Sequence, residues 1–141
     1  MKYIKEYELT EFEENNVIYS LARNIKSFME LYLGLISIKY HPNSVSFWYA
    51  IKYSRLIFTI QEIDYYYGDV DEYFEFNLNT NVKNVNYTGQ KTYDVIMFIE
   101  YIMSKYRDFQ NLIKYSNIDN IIKDLSQENY EVFIEKSKYN L

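Results

Sequence analysis

Hydrophobic positions change period twice along the chain, and those changes divide it into helix, sheet and helix. From Ile18 the apolar residues Leu21, Ala22, Ile25, Phe28, Met29 and Tyr32 recur every three or four positions, the spacing of one face of a helix. Thr10 and Glu13 precede them in the S/T-x-x-E arrangement. There a hydroxyl and a carboxylate satisfy the first unpaired backbone N–H groups. Gly34 follows, at the place where a helix turns into the left-handed region to stop. The spacing predicts a helix over 11–33.

After Gly34 the period falls to two. Leu35 to Tyr40 is β-favouring and ends at His41-Pro42-Asn43-Ser44, a turn sequence. Val45, Phe47, Tyr49, Ile51 and Tyr53 then alternate with Ser46, Trp48, Ala50, Lys52 and Ser54. Leu56 to Ile60 is a third β-favouring run, with Ser54-Arg55 read as the turn before it. Tyr73 to Leu78 is a fourth, placing Tyr73 and Glu75 on one face and Phe74, Phe76 and Leu78 on the other. Four strands joined by short connections predict an antiparallel meander, against which a helix over 45–63 is the competing reading.

The polar, Asn-rich stretch Asn79–Gln90 reads as a loop. Helical spacing resumes after Thr92 through Ile96, Ile99, Met103 and Tyr106. Ser116-Asn117-Ile118-Asp119 reads as a cap before a short helix bearing Ile118, Ile121, Ile122 and Leu125. Ser126 opens a last helix with Tyr130, Phe133 and Ile134 inward. The expected fold is α+β: an N-terminal helix, a four-stranded antiparallel meander, and two to four C-terminal helices packed on the sheet. With 141 residues, no internal repeat and no Pro/Gly-rich linker, a single domain over 1–141 is expected.

Charge sharpens this picture at one place. Residues 1–40 balance at −1 and residues 81–141 at zero, whereas residues 41–80 carry two basic and six acidic side chains. All six carboxylates lie in Glu62–Glu75, EIDYYYGDVDEYFE, together with five aromatics. No Lys or Arg occurs from 56 to 82. Like charges gathered this way repel one another, so a generic surface mixes signs instead.

Candidate chemistry is thin elsewhere. With no cysteine there is no disulfide framework, thiolate zinc site or thiol nucleophile, and one histidine, His41, cannot build a zinc site. His41 stands beside Pro42 and reads as a turn residue. Three glycines cannot assemble a phosphate-cradling loop, and no Glu is followed two positions later by Lys, as nuclease E-x-K motifs require. The N-terminal residues lack an apolar signal core and no apolar run reaches membrane length, which predicts a cytoplasmic protein without a membrane partner. A net charge of −5 opposes direct nucleic-acid binding.

These exclusions favour a non-catalytic protein-binding inhibitor, of the immunity or antitoxin type, that blocks a basic nuclease-like toxin or effector. Asp64, Asp69, Asp71, Glu72 and Glu75 would meet Lys or Arg, while Tyr65, Tyr66, Tyr67 and Tyr73 supply rigid contact area around them. No cofactor is expected. Two other readings compete. In one, the aromatic excess serves an oligomeric assembly, including a homo-oligomer. In the other, Asp69 and Asp71, two apart on an extended segment, bind a metal for phosphoryl transfer.

Overall fold

The structure, a computed structural model, describes residues 17–41, 44–51, 54–63, 73–80, 89–107 and 112–139. Helix α1 (Val17–Leu33) leads into β1 (Ser37–His41), β2 (Ser44–Ile51), β3 (Ser54–Ile63) and β4 (Tyr73–Thr80). Helix α2 (Gly89–Tyr106) follows, then β5 (Leu112–Lys114), a 3-10 turn (Tyr115–Asn117), α3 (Ile118–Asp124) and α4 (Gln127–Tyr139). The expected α+β order is therefore observed. Residues 11–16, where α1 was expected to begin, and the Thr10–Glu13 cap lie outside the described residues.

Every neighbouring strand pair is antiparallel, in the order β1-β2-β3-β4-β5. The meander has five strands, where the sequence predicts four. The fifth is three residues long, too short to show a period, and it joins the sheet only by pairing with Tyr73–Glu75. The helical reading of 45–63 is overturned by the continuous β2–β3 register from Ser44↔Gln61 to Ile51↔Ser54. That register also moves the turn: Ile51 faces Ser54, so the strands join across 52–53 and not at Ser54-Arg55.

Alternation along the strands makes the sheet two-sided. Val45, Phe47, Ile60, Phe74, Phe76 and Ile113 point to one side and are buried, forming one cluster with Ile18, Leu21, Ile25 and Met29 of α1 and Val95, Phe98, Ile99 and Ile102 of α2. Lys39, His41, Ser44, Thr59, Gln61, Glu75 and Lys114 occupy the opposite register positions and are exposed or half-buried. One apolar side per strand specifies register, because a slip by one residue would turn all of these side chains over.

Local chemistry sets the element ends. Gly34 ends α1 with φ of +92°, a region an L side chain enters at a cost of about 1–2 kcal/mol. Glu30 then holds the exit. Its carboxylate accepts the Ile36 N–H at 3.3 Å and the Lys26 ammonium at 2.9 Å. At the far end of β1, the Tyr19 hydroxyl donates to the His41 carbonyl at 2.6 Å, tying the β1–β2 turn back to α1. Ser126 caps α4 as expected, its Oγ accepting the Asn129 N–H at 3.2 Å. Asn117 does not cap α3. Its side-chain amide donates instead to the Tyr106 carbonyl at 3.2 Å, because the 3-10 turn already positions the helix start.

Helix α4 docks through aromatic rings. Tyr130 packs against Phe28, Tyr32 and Phe98 with centroids 5.7, 4.5 and 5.3 Å away, and Phe98 reaches Phe133 at 5.5 Å. A polar clamp closes the other side. The Tyr106 hydroxyl donates a short hydrogen bond to Asp124 Oδ2, which Lys105 Nζ also approaches at 3.3 Å.

Two stability outcomes follow. Phe74→Ala, emptying a fully buried position, should cost about 3–5 kcal/mol in urea unfolding, and Gly34→Ala about 1 kcal/mol. The hydrogen bond to the Asp124 carboxylate, helped by burial, pushes the Tyr106 phenol up to about 12. Its folded pKa therefore exceeds the unfolded value near 10, so the clamp's contribution is complete below about pH 10 and is lost as pH rises towards 12. Melting temperatures recorded from pH 9 to 12 should show that alkaline loss in the native protein and a shallower one in Tyr106→Phe.

Candidate functional site

The acidic segment joins β3 to β4. Ile63 stands opposite Tyr73 and Gln61 opposite Glu75, so the chain leaves and re-enters the sheet at adjacent positions. Asp64, Tyr65, Tyr66, Tyr67, Asp69, Asp71 and Glu72 lie outside the described residues, and the Asp69–Asp71 metal reading lies there with them. The root of the segment, Tyr73 to Glu75, is described in full.

At that root the two faces of the sheet separate. Phe74 and its partner Ile113 are fully buried in the main core. Tyr73 and Glu75 take the other side, as the alternation predicts, with Lys114 opposite Tyr73 and Leu112 opposite Glu75. Glu75 is half-buried, whereas Tyr73 is 8% and Leu112 4% exposed, and neither belongs to the main core cluster. Tyr73 is therefore buried on the side of the sheet opposite α1 and α2 and offers a partner little area of its own. Among the described members of the expected interface, Glu75 presents the charged group.

Arg107, the residue that follows helix α2, reaches this root. Its backbone forms an isolated bridge with Ile113, its guanidinium lies 6.0 Å over the Phe76 ring, and Nη1 pairs with Glu100 Oε1 at 2.7 Å. Glu100 Oε2 and Arg107 Nε are buried without hydrogen-bond partners, which makes this pair costly to maintain on its own. Its compensation is positional, since it locks the end of α2 against β4 and β5.

Sequence reasoning missed Lys114 and Arg107. Both are remote in sequence from residues 62–75, and the lack of Lys and Arg over 56–82 concealed that the fold brings cations alongside. The available signal was the β-favouring triplet Leu112-Ile113-Lys114, legible only once a strand partner is known. Of the other expectations, His41 reads as a turn residue but is the last residue of β1, paired with Ser44 of β2. Among the described residues no group of three or more His, Cys, Asp or Glu could hold a metal ion. Among the same residues, no helix is long and apolar enough to cross a membrane.

An open cleft on α4, with Tyr130, Glu131, Ile134, Glu135, Lys138 and Tyr139 among its lining residues, holds no arrangement for acid–base or nucleophilic chemistry. The charged hairpin root is the better candidate, because there a strongly one-signed segment emerges from paired strands. No family model, curated protein or solved structure matches the chain.

If Arg107 is the staple, Arg107→Ala should leave the β1–β2 amides protected. Hydrogen–deuterium exchange at Tyr73–Glu75 and Leu112–Lys114 should then quicken by about tenfold or more. Uniform acceleration across all five strands would contradict the local role.

Proposed function

We propose that the protein is a non-catalytic, cytoplasmic inhibitor of the immunity or antitoxin type, and that its acidic hairpin occludes a basic nuclease-like toxin or effector. The observation that carries this reading is the concentration of four carboxylates and three tyrosines in the connection between two paired strands, with Glu62 and Glu75 on the strands at its ends. Such a hairpin loses less conformational entropy on binding than a free loop, because its ends are already fixed. Carboxylates steer a positive surface into contact, and tyrosines supply contact area with only two side-chain torsions each. Asp64, Asp69, Asp71 and Glu72 would pair with Lys or Arg, with Glu75 at the edge of the footprint. Tyr65, Tyr66 and Tyr67 would pack between them.

A second reading, assembly through an aromatic face, is favoured by Tyr93, Met97 and Tyr101. These recur every four residues on α2 and are 39%, 38% and 47% exposed. Three half-exposed side chains make a patch of ordinary size, so this reading ranks second.

The test is capture of a basic partner by the purified protein, with affinity measured against salt. Native protein should bind with an affinity that falls steeply as salt rises. The triple variant Asp69→Lys, Asp71→Lys, Glu72→Lys should bind about a hundredfold more weakly or not at all. Unchanged binding by that variant would reject the hairpin as the interface. Heat of Mg²⁺ or Mn²⁺ binding that vanishes in Asp71→Ala would replace inhibition with the metal reading.

A further inference from the structure

The sheet has two outer strands, and their free sides differ. On β5 the Arg107 backbone bridges to Ile113, which pairs with Phe74 on its other side. Strand β1 pairs with β2, and among the described residues no strand or bridge lies on its outer side. We propose that this outer edge of β1 docks an extended, acidic segment of another protein, which joins the sheet as a further strand with a carboxylate opposite Lys39. The edge is separate from the β3–β4 connection, and the proposal does not rest on that surface.

Backbone geometry supplies the first part of the argument. Residues 42 and 43 alone join β1 to β2, so the flanking pair His41↔Ser44 exchanges both of its backbone hydrogen bonds. Alternation assigns Lys39↔Ser46 and Ser37↔Trp48 to the same class. The N–H and C=O groups of Ile38 and Tyr40 consequently point to the open edge. The strand is also anchored at both ends. Glu30 accepts the Ile36 N–H just before it, and the Tyr19 hydroxyl donates to the His41 carbonyl at its close. An edge held this way loses little conformational freedom when another strand pairs with it.

Side chains along the edge select the occupant. Ile38 and Tyr40 are half-buried against the core, and Tyr40 meets the Tyr19 ring at 4.8 Å. A strand laid beside them would complete their burial with apolar residues of its own. Lys39 is exposed on the other side of the sheet, and Arg23 of α1 donates a hydrogen bond to the Tyr40 hydroxyl. Among the described residues neither cation pairs with a carboxylate, whereas Lys26 is taken by Glu30 at 2.9 Å. The edge is therefore locally positive in a chain of net charge −5. A second copy fits it poorly. Two-fold antiparallel pairing, with Ile38 opposite Tyr40, would set the two Lys39 side chains directly against each other, and opposed like charges are destabilising. Lys39 thus guards the edge against its own kind and favours a strand of opposite charge.

The test uses an octapeptide of alternating Val and Glu, whose carboxylates can face Lys39 while its valines face Ile38 and Tyr40. The same peptide with Lys in place of Glu is the control. Amide exchange is followed residue by residue by NMR. In the free protein the Ile38 and Tyr40 amides should exchange quickly and those of Lys39 and His41 slowly. Saturating Val-Glu peptide should slow Ile38 and Tyr40 by about tenfold or more, and the Val-Lys peptide should leave them unchanged. Lys39→Glu should bind the Val-Glu peptide about fivefold more weakly or worse, and Lys39→Arg should match the native protein. Slow exchange of Ile38 and Tyr40 in dilute free protein would overturn the proposal, since the edge would already be filled. Protection that grows with protein concentration and needs no peptide would replace it with self-association. Equal protection by both peptides would reject the acidic occupant, and no protection at millimolar Val-Glu peptide would reject the edge as a docking site.

Discussion

Burial of one side of the sheet against α1 and α2 is the constraint on which the rest of the structure depends. Phe47, Ile60, Phe74 and Ile113 come from four different strands, are almost wholly buried, and meet Leu21, Ile25, Phe98 and Ile99 in one cluster. Each must keep its parity along its strand, so this single layer sets the register of every pair it touches. Register then decides what appears on the other side. Tyr73, Glu75 and Lys114 stand beside one another because Phe74 and Ile113 cannot leave the core.

The same layer connects the two ends of the chain's function as we read it. The acidic segment is local in sequence, but its root is held by elements that come much later. Arg107, the residue after helix α2, bridges to Ile113, and β5 contributes three residues whose pairing lies wholly within Tyr73–Glu75. A charged hairpin on a two-stranded ribbon would be a weakly stable element. Here its exit is a central strand at Tyr73–Glu75, paired on both sides. Such a root can present a surface whose carboxylates repel one another, because core packing and not the hairpin itself holds the strands together.

Much of the fold was legible because its signals are local. Ile18 to Tyr32 shows the helical spacing, Val45 to Tyr53 shows alternation, and Gly34 and Ser126 act at the helix ends as their chemistry predicts. What escaped was non-local. Strand β5 has no period of its own and exists because Tyr73–Glu75 offers a free edge. Asn117 spends its amide on the Tyr106 carbonyl, a partner eleven residues away, and not on its own helix. At the candidate site the charge concentration was readable and the facing of Tyr73 and Glu75 followed from alternation. The near-complete burial of Tyr73, and the cation opposite it, required knowledge of which strand comes next in the sheet.

The central claim is that carboxylates of the β3–β4 connection meet the basic groups of a partner. Zero-length carbodiimide cross-linking, which joins a carboxylate to an amine only where they touch, reads that contact directly after digestion and mass spectrometry. The account predicts cross-links from the segment Asp64–Glu75 to lysines of a basic protein, disappearing when high salt is present during coupling. Cross-links confined to carboxylates of α4, such as Glu128, Glu131 and Glu135, would place the partner on another face and contradict it.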